Sequence, residues 1–157
     1  MNDLVDSICA FLGTVVANYS LETNQKATKS PQVVAGWLPP KRSSDIPDFP
    51  YVIVRASEGK DSEEMATVTV KILVGTYAED PNGFRDVLNI MERIRIAFGE
   101  QRVLEKKYRM EYPFSWRLFD DQPYPEWAGE ITTTWVVPLP QEILSTEEEA
   151  RIYGQGY

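Results

Sequence analysis

Residues 64–99 read EMATVTVKILVGTYAEDPNGFRDVLNIMERIRIAFG, and the spacing of their apolar positions changes halfway along. Over Glu64–Tyr77 the residues Ala66, Val68, Val70, Ile72 and Val74 recur at every second position, the period of a strand with one buried face. After Asp80-Pro81 the apolar residues Phe84, Val87, Leu88, Met91, Ile94 and Phe98 step by three and four, the period of a helix with one buried side. Asp80 as N-cap and Pro81 at the first helical position mark the boundary, because the Asp oxygen accepts an orphan amide and proline has no N–H to leave unpaired there. Gly99 supplies a stop at the far end.

The same two periods recur on either side. Leu4, Ile8, Phe11, Leu12 and Val15 predict an amphipathic helix over 3–18, with Asn2 as its cap and Asp3 and Asp6 in the first turn to complement the helix dipole. Ser20–Ser30 is polar and aperiodic and reads as a loop. The stretch 36–50, GWLPPKRSSDIPDFP, carries four prolines and is excluded from helix and central strand, so it is a long excursion and a candidate contact arm. Tyr51–Ala56 is a short apolar strand joined to the next through a turn at Gly59 to Glu63. Past the second helix, Tyr108, Met110, Tyr112, Phe114, Trp116 and Leu118 alternate, as do Trp127, Gly129, Ile131, Thr133, Trp135 and Val137, and the two runs predict a long antiparallel hairpin. These elements make an α+β fold: one domain over 1–140, a mostly antiparallel sheet with two main helices packed on it. An acidic tail follows over 141–157, with a short helix capped by Ser145 or Thr146.

At 157 residues the chain has the length of one domain with one core. Its formal net charge of −8 disfavours a grip on nucleic-acid phosphates, which needs a basic footprint, and suits either solubility or a surface that DNA slides past. Cys9 is the lone cysteine, expected in the core of a protein made in a reducing compartment. No apolar run approaches the roughly 20 residues of a membrane span, and Asp3 and Asp6 stand where a secretory leader would be basic, so a soluble, unprocessed chain is expected.

No histidine is present, which removes the commonest general base and zinc ligand, and one cysteine makes no zinc site of the usual kinds, so neither metal nor cofactor is expected. GTYAEDPNG follows a strand but lacks the lysine and glycine spacing of a phosphate loop. The stretch 120–127, DDQPYPEW, has two readings. Pro123 and Pro125 break a ladder and Asp120 and Asp121 favour a turn. Asp120, Asp121 or Glu126 beside Trp116, Tyr124 and Trp127 are also the ingredients of a carboxylate-pair glycosidase or a carbohydrate-binding module. Arg102, Lys106, Lys107 and Arg109 form a basic group in an acidic chain: lysines that protect an edge strand, or a patch that meets Glu147, Glu148 and Glu149 of a neighbouring copy.

FPYVIVR at 49–55, VTVKILVGTYAEDPNGFRDVLNIMERIR at 68–95 and YPFSWRLFDDQPYPEWAGEITTTW at 112–135 resemble a family of tailed-bacteriophage and prophage proteins, the tail terminator or tail completion proteins of the head-to-tail joining region. The resemblance spans roughly residues 49–137 and rests on size and pattern, without an invariant catalytic motif. It implies an α+β fold and a structural, non-enzymatic role in virion assembly. It further implies a ring, commonly of six copies, that caps the tail tube, stops its growth and joins head-tail connector proteins, while DNA passes through the lumen without specific binding. Such a protein resides in the host cytoplasm during assembly and then in the tail or neck of the virion. A head-closure or connector-stopper protein would look similar. On this reading Trp37, Asp120, Asp121 and Tyr124 join the basic and acidic groups as candidate interface residues.

Overall fold

The computed structural model describes residues 1–22, 28–40 and 48–153. The elements in chain order are α1 (Asn2–Val16), β1 (Leu21–Glu22), β2 (Thr28–Lys29), β3 (Gln32–Ala35), β4 (Tyr51–Asp61), β5 (Ala66–Tyr77), α2 (Phe84–Glu100), β6 (Val103–Leu104), β7 (Tyr108–Leu118), β8 (Glu126–Val137) and α3 (Thr146–Tyr153). Six strands form one curled sheet in the order β3-β4-β5-β8-β7-β6, and β1 and β2 make a separate two-stranded pair. Only β3–β4 is parallel within the large sheet. The domain is therefore α+β, with a mostly antiparallel sheet and two main helices packed on it.

β5 is central because its period-two pattern suits a strand that pairs on both edges and buries one face. It meets β8 in an unbroken register from Ala66↔Val137 to Tyr77↔Glu126. Val68, Val70, Ile72 and Val74 of β5, Val52 and Val54 of β4 and Ile131 and Trp135 of β8 share one core with Leu4, Ile8 and Leu12 of α1 and Val87, Ile90 and Ile94 of α2. Each aliphatic side chain fully buried there stabilises the fold by about 1.5–3 kcal/mol. The helices touch each other, α1 over β3 and β4, α2 over β5, β8 and β7. α2 approaches β8 closely at Gly129, where a Cβ would lie 3.0 Å from both the Arg117 carbonyl oxygen and Val87 Cγ1.

The structure corrects several boundaries. Asn2 lies inside α1; Met1 is the cap, without a side-chain hydrogen bond. Asp80-Pro81 opens a turn rather than the helix. Asp80 Oδ1 accepts the Asn82 amide at 2.8 Å, the Asp80 carbonyl accepts the Gly83 amide at 2.9 Å, and α2 begins only at Phe84. The Asp side chain finds its amide two residues on, and a turn satisfies it as well as a helix does. Gly99 lies within α2, which ends when Gln101 turns extended at φ −136°. The β4–β5 turn is Ser62–Met65, not Gly59 to Glu63, because the Ser62 hydroxyl accepts the Met65 amide at 3.1 Å and its backbone amide donates to the Met65 carbonyl at 2.8 Å. The loop expected over Ser20–Ser30 contributes β1 and β2, paired as Leu21↔Lys29 and Glu22↔Thr28, with 23–27 outside the described residues.

Two further strands lacked a sequence signal. β3 is four residues long and parallel to β4, so the chain must travel back along β4 before entering it. The proline-rich 36–50 excursion is that crossover connection; of it, 41–47 lie outside the described residues. β6 is two residues long and joins β7 by a tight turn in which Glu105 and Lys106 both have positive φ, 53° and 57°. Such turns are recognised in sequence by Asn-Gly, and Glu-Lys hides this one.

Two buried threonines yield opposite expectations for one substitution. Thr133 Oγ1 donates to the Val70 carbonyl at 2.9 Å and accepts from Trp135 Nε1 at 2.9 Å, all within the core. Thr76 Oγ1 is buried and makes no hydrogen bond among the described residues. Thr133→Val leaves the indole N–H unpaired and lowers unfolding free energy by about 1–3 kcal/mol, whereas Thr76→Val leaves it unchanged or raises it. Urea denaturation of the two variants measures both.

Candidate functional site

The DDQPYPEW stretch is a turn locked by one residue that sequence reading passed over. Gln122 spans the β7–β8 connection: Nε2 donates to the Phe119 and Ala128 carbonyls at 2.6 and 2.9 Å, and Oε1 accepts the Ala128 amide at 2.7 Å. The turn is also tied to the loop after β5. Trp127 Nε1 donates to the Ala78 carbonyl at 2.9 Å, the Ala78 amide donates to the Pro125 carbonyl at 3.0 Å, and the Tyr124 hydroxyl donates to the Glu79 carbonyl. Tyr124 stands edge-on to Trp127 with centroids 6.0 Å apart, and Trp127 meets Phe84 at 6.4 Å. Trp116 is elsewhere, against Leu88, Met91 and Arg95 of α2. The three rings expected to stack a sugar therefore form no common platform. Asp120 and Asp121 are exposed in the turn and Glu126 is exposed at the start of β8. Among the described residues no cluster of carboxylates, cysteine or histidine could hold a metal ion.

The basic group sits on the β6–β7 hairpin at one end of the sheet. Arg102 donates through Nε to the Met110 carbonyl at 2.9 Å and pairs with Glu111 at 3.0 Å, and Arg109 reaches the same carboxylate at 3.1 Å. Two arginines thus share one acid. Lys106 lies exposed in the hairpin turn, and Lys107 Nζ lies 5.2 Å from the centre of the Tyr108 ring. Lys106 and Lys107 lie in the turn between β6 and β7, Arg102 just before β6 and Arg109 on β7. Trp37 is 70% exposed beside the first turn of the crossover, with the Arg55 guanidinium 4.5 Å from its ring centre. Cys9 is half-buried at the margin of the core, and burial, with Asp6 nearby, pushes its thiol up to about 11.

The feature that sequence reading missed is a groove between α2 and β7. Its walls are Arg95, Ile96, Gly99 and Glu100 on the helix and Met110, Tyr112 and Phe114 on the strand. Trp116 and Leu88 extend the apolar surface along it. Met110 is buried, yet Tyr112 is 59% exposed and Trp116 53%, so the alternation read as one buried face runs past the core. Between Glu111 and Ser115 the β7–β8 register shifts. That bulge contains Pro113 and moves this part of β7 away from an ideal ladder. Gly99, taken as a helix stop, instead leaves open space beside the groove. The visible signal was an aromatic-rich strand face longer than the helix meant to cover it.

Glu147, Glu148 and Glu149 lie in the first half of α3, the side chain of Glu149 outside the described residues. Ser145 is the cap: its hydroxyl accepts the Glu148 amide at 3.2 Å, and Glu148 Oε2 accepts the Ser145 amide at 2.9 Å, a reciprocal capping box. Hydrogen bonding to the carboxylate from the Ser145 backbone amide first, and from its side chain second, holds the Glu148 carboxyl below its ordinary value of 4.5. A carboxyl depressed on folding contributes stability that is present above its unfolded value and is lost as pH falls through the folded one. Acidification below pH 4.5 should therefore open the box and shift the Ser145 amide proton resonance, an effect absent in Glu148→Gln.

Compared with known proteins, the chain matches no protein-family model and no curated sequence.

Proposed function

We propose that this protein is a structural component of virion assembly, a tail terminator whose copies form a ring that caps the tail tube, stops its polymerisation and offers the surface for head joining. The observation that supports it best is the aromatic ridge of Tyr112 and Trp116 standing exposed beside an edge strand. A partner protein that covered the ridge would remove a large apolar area from water, and aromatic residues are the side chains most enriched at such contacts. The resemblance over roughly 49–137 points the same way, since a terminator works by contact and requires no chemistry. The net charge of −8 fits a ring through which DNA passes without sticking.

Particles assembled without the protein should carry tails of abnormal length in electron micrographs, and supplying it should restore one length. Leaking heads beside separate tails of normal length would instead assign it to head closure. Particles unchanged by its loss would sink both readings.

A further inference from the structure

The groove between α2 and β7 is open, and the same chain carries two isoleucines, one before α3 and one in it, that no described residue covers. Ile143 is 92% exposed and Ile152 52% exposed, flanking the acidic turn of α3. On the body, Tyr112, Trp116 and Ile96 are each about half exposed along the groove. We propose that α3 of one copy, with Ile143 just before it, docks into the α2–β7 groove of a second copy, Ile143 and Ile152 meeting Tyr112, Trp116 and Ile96. The acids of α3 then face the basic hairpin. This rests on the reading of the protein as a ring former and names the contact that joins its subunits.

Three features select this occupant over an added strand. The edge of β7 is blunted, because the Glu111–Ser115 bulge interrupts its ladder and Pro113 offers no N–H. A helix needs no ladder and can place side chains between α2 and the aromatic face. The charges also match: Glu147 and Glu148 are exposed on α3, while Arg102 stacks on Tyr112, its guanidinium 4.8 Å from the ring centre, with Lys106 and Lys107 on the adjoining turn. Neither lysine has a carboxylate partner among the described residues. Within a single chain both surfaces remain exposed. A donor surface and a different acceptor surface on one molecule give head-to-tail contacts, which close into a ring when the rotation allows.

Native mass spectrometry over a concentration series, on the full chain, provides the test. One variant blocks the groove, Ile96→Glu with Trp116→Glu; the other disables the arm, Ile143→Glu with Ile152→Glu. All four positions are about half exposed or more, so both variants should fold, and circular dichroism checks that. The wild-type chain should form a closed oligomer, and each variant alone should need about tenfold or more protein to associate. An equal mixture should give heterodimers, because one intact groove and one intact arm remain, and stop there. Raised salt should weaken the wild-type contact. Oligomers that survive in both variants would overturn the docking while leaving the ring intact. A mixture that fails to pair would point to docking within one chain or between like surfaces, and overturns it too. A wild-type chain monomeric at every concentration does the same, and tail length then judges the terminator reading by itself.

Discussion

The β5–β8 ladder is the constraint on which the rest of the domain depends. It runs the full length of both strands without a register shift, and side chains alternate strictly along it. A slip of β8 by one residue would turn Ile131, Thr133 and Trp135 out of the core together. Thr133 reinforces the register because its hydroxyl joins the Val70 carbonyl on the facing strand to the indole of Trp135. With this ladder in place β4 has one free edge to join and β7 the other, and both helices have one apolar face to cover.

The two ends of the sheet are finished differently. At the β4 end a parallel strand and its crossover close the sheet. At the β7 end β6 pairs with only Tyr108 and Arg109, and the rest of β7 has the bulge and Pro113. α2 covers the start of β7 at Met110 but leaves Tyr112 and Trp116 half exposed. Those rings keep apolar area in contact with water at that end, as Trp37, 70% exposed, does near β4. On the opposite face of the sheet polar pairs such as Lys71 with Glu130, 3.6 Å apart, keep the surface in water and add little to stability.

Much of the fold was legible. The change of period at Asp80-Pro81 located β5 and α2, and the long alternations located β7 and β8. The turn nature of DDQPYPEW followed from its prolines and acids, and the cap of α3 was narrowed to Ser145 or Thr146, of which the structure uses Ser145. The misses share a cause. Asp80, Gly59 and Gly99 are residues that end elements often, but a side-chain acceptor or a missing Cβ serves a turn, a strand or an open groove equally well. β3 and β6 are too short for a period, and Gln122 acts through three hydrogen bonds that no spacing rule anticipates. The candidate site was legible as an inventory only. Arg102, Lys106, Lys107 and Arg109 read as one basic group, but both arginines are held by Glu111 while neither lysine has an acid partner among the described residues.

By itself the sequence determined the elements with long periodic patterns, the sense of their buried faces and the α+β class, because burial of alternate or every third and fourth residue is written locally. It also determined the charge. Only the tertiary structure decided the strand order, the parallel crossover, and that β7 outruns the helix packed on it. Those depend on which edges meet and how far one element extends over another, and pairing between residues distant along the chain leaves no local mark. The groove beside α2 belongs to that second kind of fact, since neither of its walls is a site until the other stands opposite it.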